Sequence, residues 1–135
     1  MNYELKDKIT ITKEFLDAHK DIHKLSAKEF SIIAHKAGLF IVCAHPFRDM
    51  NRSPAPELAD AIEVYNSNPR HENNTHLAEE LVRSTGLPFT AGSDTHRAED
   101  VALSGIITQT EIKTVDDYIR IVKAREVEII KNVSV

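Results

Sequence analysis

The sequence predicts a single α/β domain in which mainly parallel strands alternate with helices. Helix and strand patterns alternate from residue 26 to the end of the chain, as in a series of βα units. The segment LFIVCA (39–44) is continuously apolar, which is typical of a strand covered by helices on both faces. A chain of 135 residues is long enough for one domain with one sizeable core.

Start and stop signals define the predicted elements. The charged segment 12–26 is predicted to be helical. Ser26 and Glu29 form a capping box that opens the next helix, and Gly38 suits the left-handed position that ends it. Further strands are predicted at AIEVY (61–65), PFTAG (88–92), SGIIT (104–108) and VEII (127–130), and further helices at 73–85 and after Thr114.

Composition excludes several functional classes. The formal net charge of -4 argues against a nucleic-acid binder, and 6% aromatic residues leave few platforms for base stacking. One cysteine, Cys43, excludes an internal disulfide framework, and its apolar surroundings predict a buried, unreactive thiol. No apolar run is long enough to span a membrane, and the first residues do not resemble a signal peptide. We therefore expect a cytoplasmic protein.

Polar side chains follow the predicted strands at the ends where ligands gather in α/β folds. His45 follows the first strand, Asn66 the second, and Asp94 with His96 the third. A carboxylate and an imidazole two residues apart can bind a metal ion, although a turn aspartate beside an exposed histidine has the same spacing. His45 alone could equally be a structural residue. Together, the three residues predict a metal site at this edge of the sheet.

Three blocks, HKAGLFIVCAHPFR, AIEVYN and LPFTAGSDTH, resemble the second half of the PHP (polymerase and histidinol phosphatase) family. The resemblance covers about residues 24–130. It implies part of a distorted (β/α)7 barrel, similar to a TIM barrel, with metal-dependent phosphoesterase activity. It also implies a cluster of divalent ions (zinc, manganese or iron) and a phosphorylated small molecule or nucleotide as substrate.

The resemblance also implies roles for individual residues. His45, Asp94 and His96 would be metal ligands, and the last two would also be catalytic. Arg48 would grip a phosphate with its planar fork, although a surface arginine explains it equally well. Asn66 would line the pocket and contact substrate, and Glu63 would lie inside the barrel.

The first half of the family pattern is absent from this sequence. The family begins with a His-x-His pair, and no two of the seven histidines here are two apart. We therefore expect residues 1–135 to be the C-terminal half of a PHP-like barrel with an incomplete active site, which associates with itself or with a missing N-terminal half. A fragment, one part of a split enzyme and a non-catalytic metal- or partner-binding relative remain open, as does an ordinary α/β interaction domain with incidental histidines.

Overall fold

The computed structural model describes residues 17, 18, 21, 24–50 and 54–131. The helices are α1 (Ala27–Lys36), α2 (Thr75–Thr85) and α3 (Val115–Lys123), and the strands are β1 (Val42–Cys43), β2 (Ala61–Asn66), β3 (Phe89–Gly92), β4 (Gly105–Ile107) and β5 (Glu128–Ile130). This order confirms the predicted α/β class. The predicted helix at 12–26, including His19 and His23, lies largely outside the described residues.

Strands β1, β2 and β3 form a parallel sheet in that order. Val42 pairs with Ala61, and Asn66 pairs with Gly92. All three strands therefore end at the same edge, as the sequence predicted. The first strand is shorter than predicted, since only two residues of the apolar run 39–44 are in strand conformation.

The last two strands differ from the prediction of a mainly parallel sheet. β4 and β5 form a separate antiparallel pair in which Ile106 lies opposite Ile129. Helix α3 still lies between them in sequence. The alternation of strand and helix was predicted correctly, but the direction in which the last strand runs was not.

Local sequence signals set the helix ends. Ser26 and Glu29 form the predicted capping box of α1: the Glu29 backbone N–H donates to Ser26 Oγ over 3.2 Å, and the Ser26 backbone N–H donates to Glu29 Oε2 over 2.8 Å. Gly38 and Gly86 have positive φ angles of 75° and 67° just after α1 and α2. Left-handed backbone costs glycine little, which explains why these helices end there.

Replacing Thr114 by alanine is expected to lower the free energy of unfolding by about 1 kcal/mol. The Thr114 side chain accepts a 3.0 Å hydrogen bond from the Asp117 backbone N–H at the start of α3, and alanine leaves that donor without its partner. Urea titration of the variant measures the loss. Thr114→Ser keeps the hydroxyl and is the matched control; an equal loss in both variants would contradict the capping role.

The main apolar cluster joins α3 to the sheet. Its buried residues are Ala61, Ile121, Val122 and Val127. Partly buried side chains pack around them: Phe40, Val42, Phe89, Ile106 and Tyr118. Because members come from β1, β2, β3, β4 and α3, this cluster ties the antiparallel pair to the parallel sheet.

Cys43 is partly rather than fully buried. Burial raises the pKa of its thiol above the ordinary value. A thiol with a raised pKa is a poor nucleophile, which supports the prediction of an unreactive side chain.

No helix within the described part of the chain is long and apolar enough to cross a membrane.

Candidate functional site

The carboxyl edge of the parallel sheet carries the residues predicted to form a site. His45 follows β1, Asn66 ends β2, and Asp94 follows β3. His45 and Asp94 have positive φ angles of 31° and 50°. Such angles are uncommon for residues other than glycine and persist only where the surroundings hold them. Both predicted ligands thus lie in constrained turns.

The Asp94 carboxylate is held by two partners. Arg48 forms an ion pair with Asp94 Oδ2, and the Asn68 side-chain amide donates to the same oxygen over 3.2 Å. Partial burial alone would raise the pKa of Asp94, but the bond and charge of Arg48 and the bond from Asn68 lower it below the ordinary value. Asp94 is therefore ionised at neutral pH.

The His96 ring is oriented by the backbone of Asp94. His96 Nδ1 lies 2.8 Å from the Asp94 main-chain carbonyl oxygen, which can only accept, so Nδ1 carries the proton. In the neutral ring, the lone pair is then on Nε2. A histidine held in this way is arranged as metal-binding histidines are, with one ring nitrogen anchored and the other available. The side chain is 63% exposed.

His45 and Asn66 are joined through Glu63 rather than through Asp94. The His45 backbone N–H donates to Glu63 Oε2 over 2.7 Å, and the Asn66 side-chain amide donates to the same oxygen over 3.1 Å. The Asn66 side-chain oxygen accepts from the Asn68 backbone N–H over 2.9 Å. Both ends of the Asn66 amide therefore bind the protein itself.

Sequence reasoning missed the asparagines that connect these groups. Asn68 donates to Asp94, as described above, and is only 3% exposed. Asn73 accepts from Arg48 Nε over 3.4 Å, and its own amide donates to the Asn66 carbonyl over 3.1 Å. The segment 66–74 reads as a polar loop, and its high asparagine content was the only signal that it binds its neighbours.

A buried carboxylate anchors the loop that carries Asp94 and His96. Asp100 is fully inaccessible and pairs with both terminal nitrogens of Arg70, at 2.9 and 2.5 Å. It also accepts from the His96 and Arg97 backbone N–H groups, at 3.0 and 2.9 Å. The hydrogen bond from Arg70 is the main cause that holds the pKa of Asp100 well below its ordinary value. Neither Arg70 nor Asp100 was predicted as part of the site.

Further hydrogen bonds join the loop after β1 to the loop after β2. His71 Nδ1 lies 2.6 Å from Asp49 Oδ2, and the Glu72 backbone N–H donates to Asp49 Oδ1 over 3.1 Å. The bond from His71 is the main cause of a lowered Asp49 pKa. These contacts fix the turn that carries Arg48.

The described residues do not by themselves fit the divalent metal cluster that the resemblance implies. Arg48 and Asn68 occupy one oxygen of Asp94. Within the described ranges, no group of three or more histidine, cysteine, aspartate or glutamate side chains could hold a metal ion. Asp94 contacts both Arg48 and His96, but among the residues that the structure describes no three metal ligands lie together.

Comparison with known families finds one similarity, which covers part of the chain. Residues 72–127 match the family model described as PHP-associated. This part of the chain is similar to the PHP-associated family. No curated protein and no solved structure is significantly similar to the chain. The relationship to PHP proteins predicted from the sequence is thus confirmed over these residues.

The region similar to the PHP-associated family includes part of the candidate site. Asp94 and His96 lie inside the matched residues, as do the anchoring Asp100 and the bridging Asn73. His45, Arg48 and Asn66 precede the match, so their resemblance to the family remains a prediction. The hydrogen bonds at the sheet edge nevertheless join the two parts of the chain directly.

Proposed function

We propose that this chain is the C-terminal part of a PHP-type phosphoesterase, which hydrolyses phosphate esters with the help of divalent metal ions. The observation that carries the proposal is the anchored pair of Asp94, ionised beside Arg48, and His96, held through Nδ1, at the edge where three parallel strands end. The PHP-associated match over the same pair supports it.

The proposal gives each residue a role. His45, Asp94 and His96 are metal ligands, and the last two also act in catalysis. Their co-ligands would come from residues outside the described part or from another chain, because the described residues do not fit the whole cluster. The metal would be zinc, manganese or iron. The domain, residues 1–135, would be half of a distorted (β/α)7 barrel that a second half completes.

Arg48 is the proposed substrate contact, and Asn66, predicted beside it, would act indirectly. Arg48 has a planar, permanently charged fork that suits a phosphate group, and it already lies beside Asp94 and Asn73. A phosphorylated small molecule or nucleotide is the substrate class that this chemistry would accept. Asn66 would contribute by shaping the floor of the pocket, since its amide is bound within the protein.

The test is hydrolysis of p-nitrophenyl phosphate with Mn²⁺ or Zn²⁺. We expect turnover when the chain is combined with a polypeptide that carries the N-terminal half of a PHP domain, after gel filtration has shown that the two associate. His96→Ala in that complex is expected to lower kcat by about 100-fold or more.

His35→Gln is the matched control for this experiment. His35 lies on α1 and binds Asp60, which precedes β2 and is therefore at the opposite edge of the sheet. This variant should keep full turnover. An associated complex without turnover, or equal turnover with His96→Ala, would contradict the phosphoesterase assignment.

A non-catalytic module that binds a metal ion or a partner through the same edge is the second candidate. It is favoured by the lack of a three-ligand group among the described residues and by the ion pair that occupies Asp94. Turnover of p-nitrophenyl phosphate that His96→Ala abolishes would rule this candidate out.

A further inference from the structure

Glu63 is an acidic side chain in the middle of a parallel strand, where apolar residues usually stand. It lies on β2, and its neighbours Ile62 and Val64 are buried. As described above, Glu63 Oε2 accepts from the His45 backbone N–H and from the Asn66 side chain. One carboxylate oxygen therefore binds both the turn after β1 and the end of β2.

The bond to His45 stabilises an unfavourable turn. His45 has a φ of 31°, which costs energy for any residue other than glycine. A hydrogen bond from the backbone N–H to a side-chain oxygen offsets part of that cost. The 2.7 Å contact with Glu63 is thus a direct reason why this turn can persist.

The other oxygen of Glu63 reaches the third strand. A Cβ atom added to Gly92 would lie 3.0 Å from Glu63 Oε1, closer than ordinary van der Waals contact. β2 also contains an irregularity at this level, because Glu63 pairs with Thr90 while Tyr65 pairs with Ala91. Bulges of this kind redirect side chains and are common beside functional sites. Glu63 therefore lies against the ends of all three parallel strands.

We propose that Glu63 is a positioning residue of the candidate site, which holds the His45 turn through its backbone N–H and requires glycine at position 92. The role of the residues that Glu63 positions rests on the proposed function. The positioning by Glu63 does not depend on that function. Glu63 binds no substrate in this proposal. It acts by fixing the turn that follows β1 and the distance between Gly92 of β3 and its own side chain.

The first experiment measures the His45 backbone amide by ¹H–¹⁵N NMR. In the wild type, a short bond to a carboxylate should place its proton resonance downfield. Glu63→Ala should move that resonance upfield, and Glu63→Gln, which keeps a carbonyl oxygen, should restore it in large part. Ile62→Val is the matched control: it opens a small cavity in the same strand and should leave the His45 amide in place. An unmoved His45 resonance in Glu63→Ala would overturn the proposal.

The second experiment is a double-mutant cycle with Gly92→Ala. Because Glu63 is tied to His45 and Asn66, it cannot retreat from the added methyl group without loosening those bonds. Gly92→Ala should therefore lower the melting temperature and displace the His45 amide resonance. Gly92→Ala should lower the melting temperature by less when Glu63 has already been replaced by alanine. Losses of stability that simply add in the double mutant would overturn the proposal. If Glu63→Ala does not fold, an unmoved His45 amide resonance in Gly92→Ala would overturn it instead.

Activity separates this proposal from the proposed function. In the complex that hydrolyses p-nitrophenyl phosphate, Glu63→Ala should lower kcat by about 10-fold, with partial recovery in Glu63→Gln. If the wild-type complex shows no turnover, the proposed function fails while the NMR and stability results still decide the role of Glu63. If turnover is present and both Glu63 variants match the wild type, the positioning role in the site is refuted.

Discussion

Replacing Asp100 by asparagine is expected to lower the melting temperature at neutral pH. It is also expected to reduce the amount by which the melting temperature falls in acid. Asp100 is fully inaccessible, pairs with both terminal nitrogens of Arg70, and accepts from two backbone N–H groups. Asparagine has nearly the same shape, but it has no charge. Its side-chain NH₂ group would also face Arg70 and two backbone N–H groups, all of which are donors. A buried donor that cannot find an acceptor is costly.

The expected pH dependence follows from the direction of the pKa shift. The pKa of Asp100 is lowered in the folded state, so the ionised form stabilises the fold above the ordinary carboxyl pKa. This contribution is lost as the pH falls below about 4 toward the lowered folded value. The difference in melting temperature between wild type and Asp100→Asn should therefore be large at pH 7 and shrink between about pH 4 and 2.

Thermal unfolding followed by circular dichroism at several pH values measures this effect. Glu99→Gln is the matched control, because Glu99 is the neighbouring carboxylate, is 67% exposed and makes only a 3.9 Å ion pair with Arg97. It should change the melting temperature little at any pH. A difference between wild type and Asp100→Asn that stays constant down to pH 2 would contradict the role assigned to the ionised carboxylate.

Truncating Ile121 to alanine is expected to lower the free energy of unfolding by about 2–5 kcal/mol. Ile121 is fully buried in the apolar cluster between α3 and the sheet. The substitution removes buried methyl and methylene groups and leaves a cavity that the surrounding strands can close only in part. Guanidinium titration should show a lower midpoint with an unchanged slope, because the unfolded surface remains similar.

The control for this prediction is Ile32→Ala. Ile32 lies on α1 and is 47% exposed, so its truncation should change the free energy of unfolding by about 0.5 kcal/mol or less. If the two substitutions had equal effects, Ile121 would not be part of the main core.

Local signals in the sequence predicted the local structure well. The capping box at Ser26, the cap at Thr114 and the glycines that end two helices, Gly38 and Gly86, all act over a few residues, and each is present in the structure. The shared edge of β1, β2 and β3 was predicted from the alternation of helix and strand. The helix signals depend on short stretches of chain, which a single sequence contains in full.

The direction of the last strand was not predictable from such signals. Seven residues, 108–114, lie between β4 and α3, and they can span up to about 25 Å. A strand of three residues is only about 10 Å long. The connection is therefore long enough to return to either end of β4, and contacts distant in sequence decide between the two directions.

The sequence predicted which polar residues follow the three parallel strands, but not the contacts that support those residues. Asp94 and His96 were recognised because they form a pair two residues apart directly after a strand. Asn68 and Asp100 were missed, since Asn68 binds Asp94 across 26 residues and Asp100 binds Arg70 across 30. Nothing in a polar loop indicates which distant backbone group it will contact.

The separation of these contacting residues along the sequence has a consequence for folding. The bonds that hold the site span 18 residues from His45 to Glu63 and 46 from Arg48 to Asp94, whereas each capping box spans three. Contacts between distant residues require the larger loss of chain entropy, so they form after the helices and after the sheet has brought the loops together. We therefore expect the site to be the last region to order during folding and the first to open in partial unfolding. Substitutions that merely weaken the fold would then disturb the candidate site before any helix content is lost.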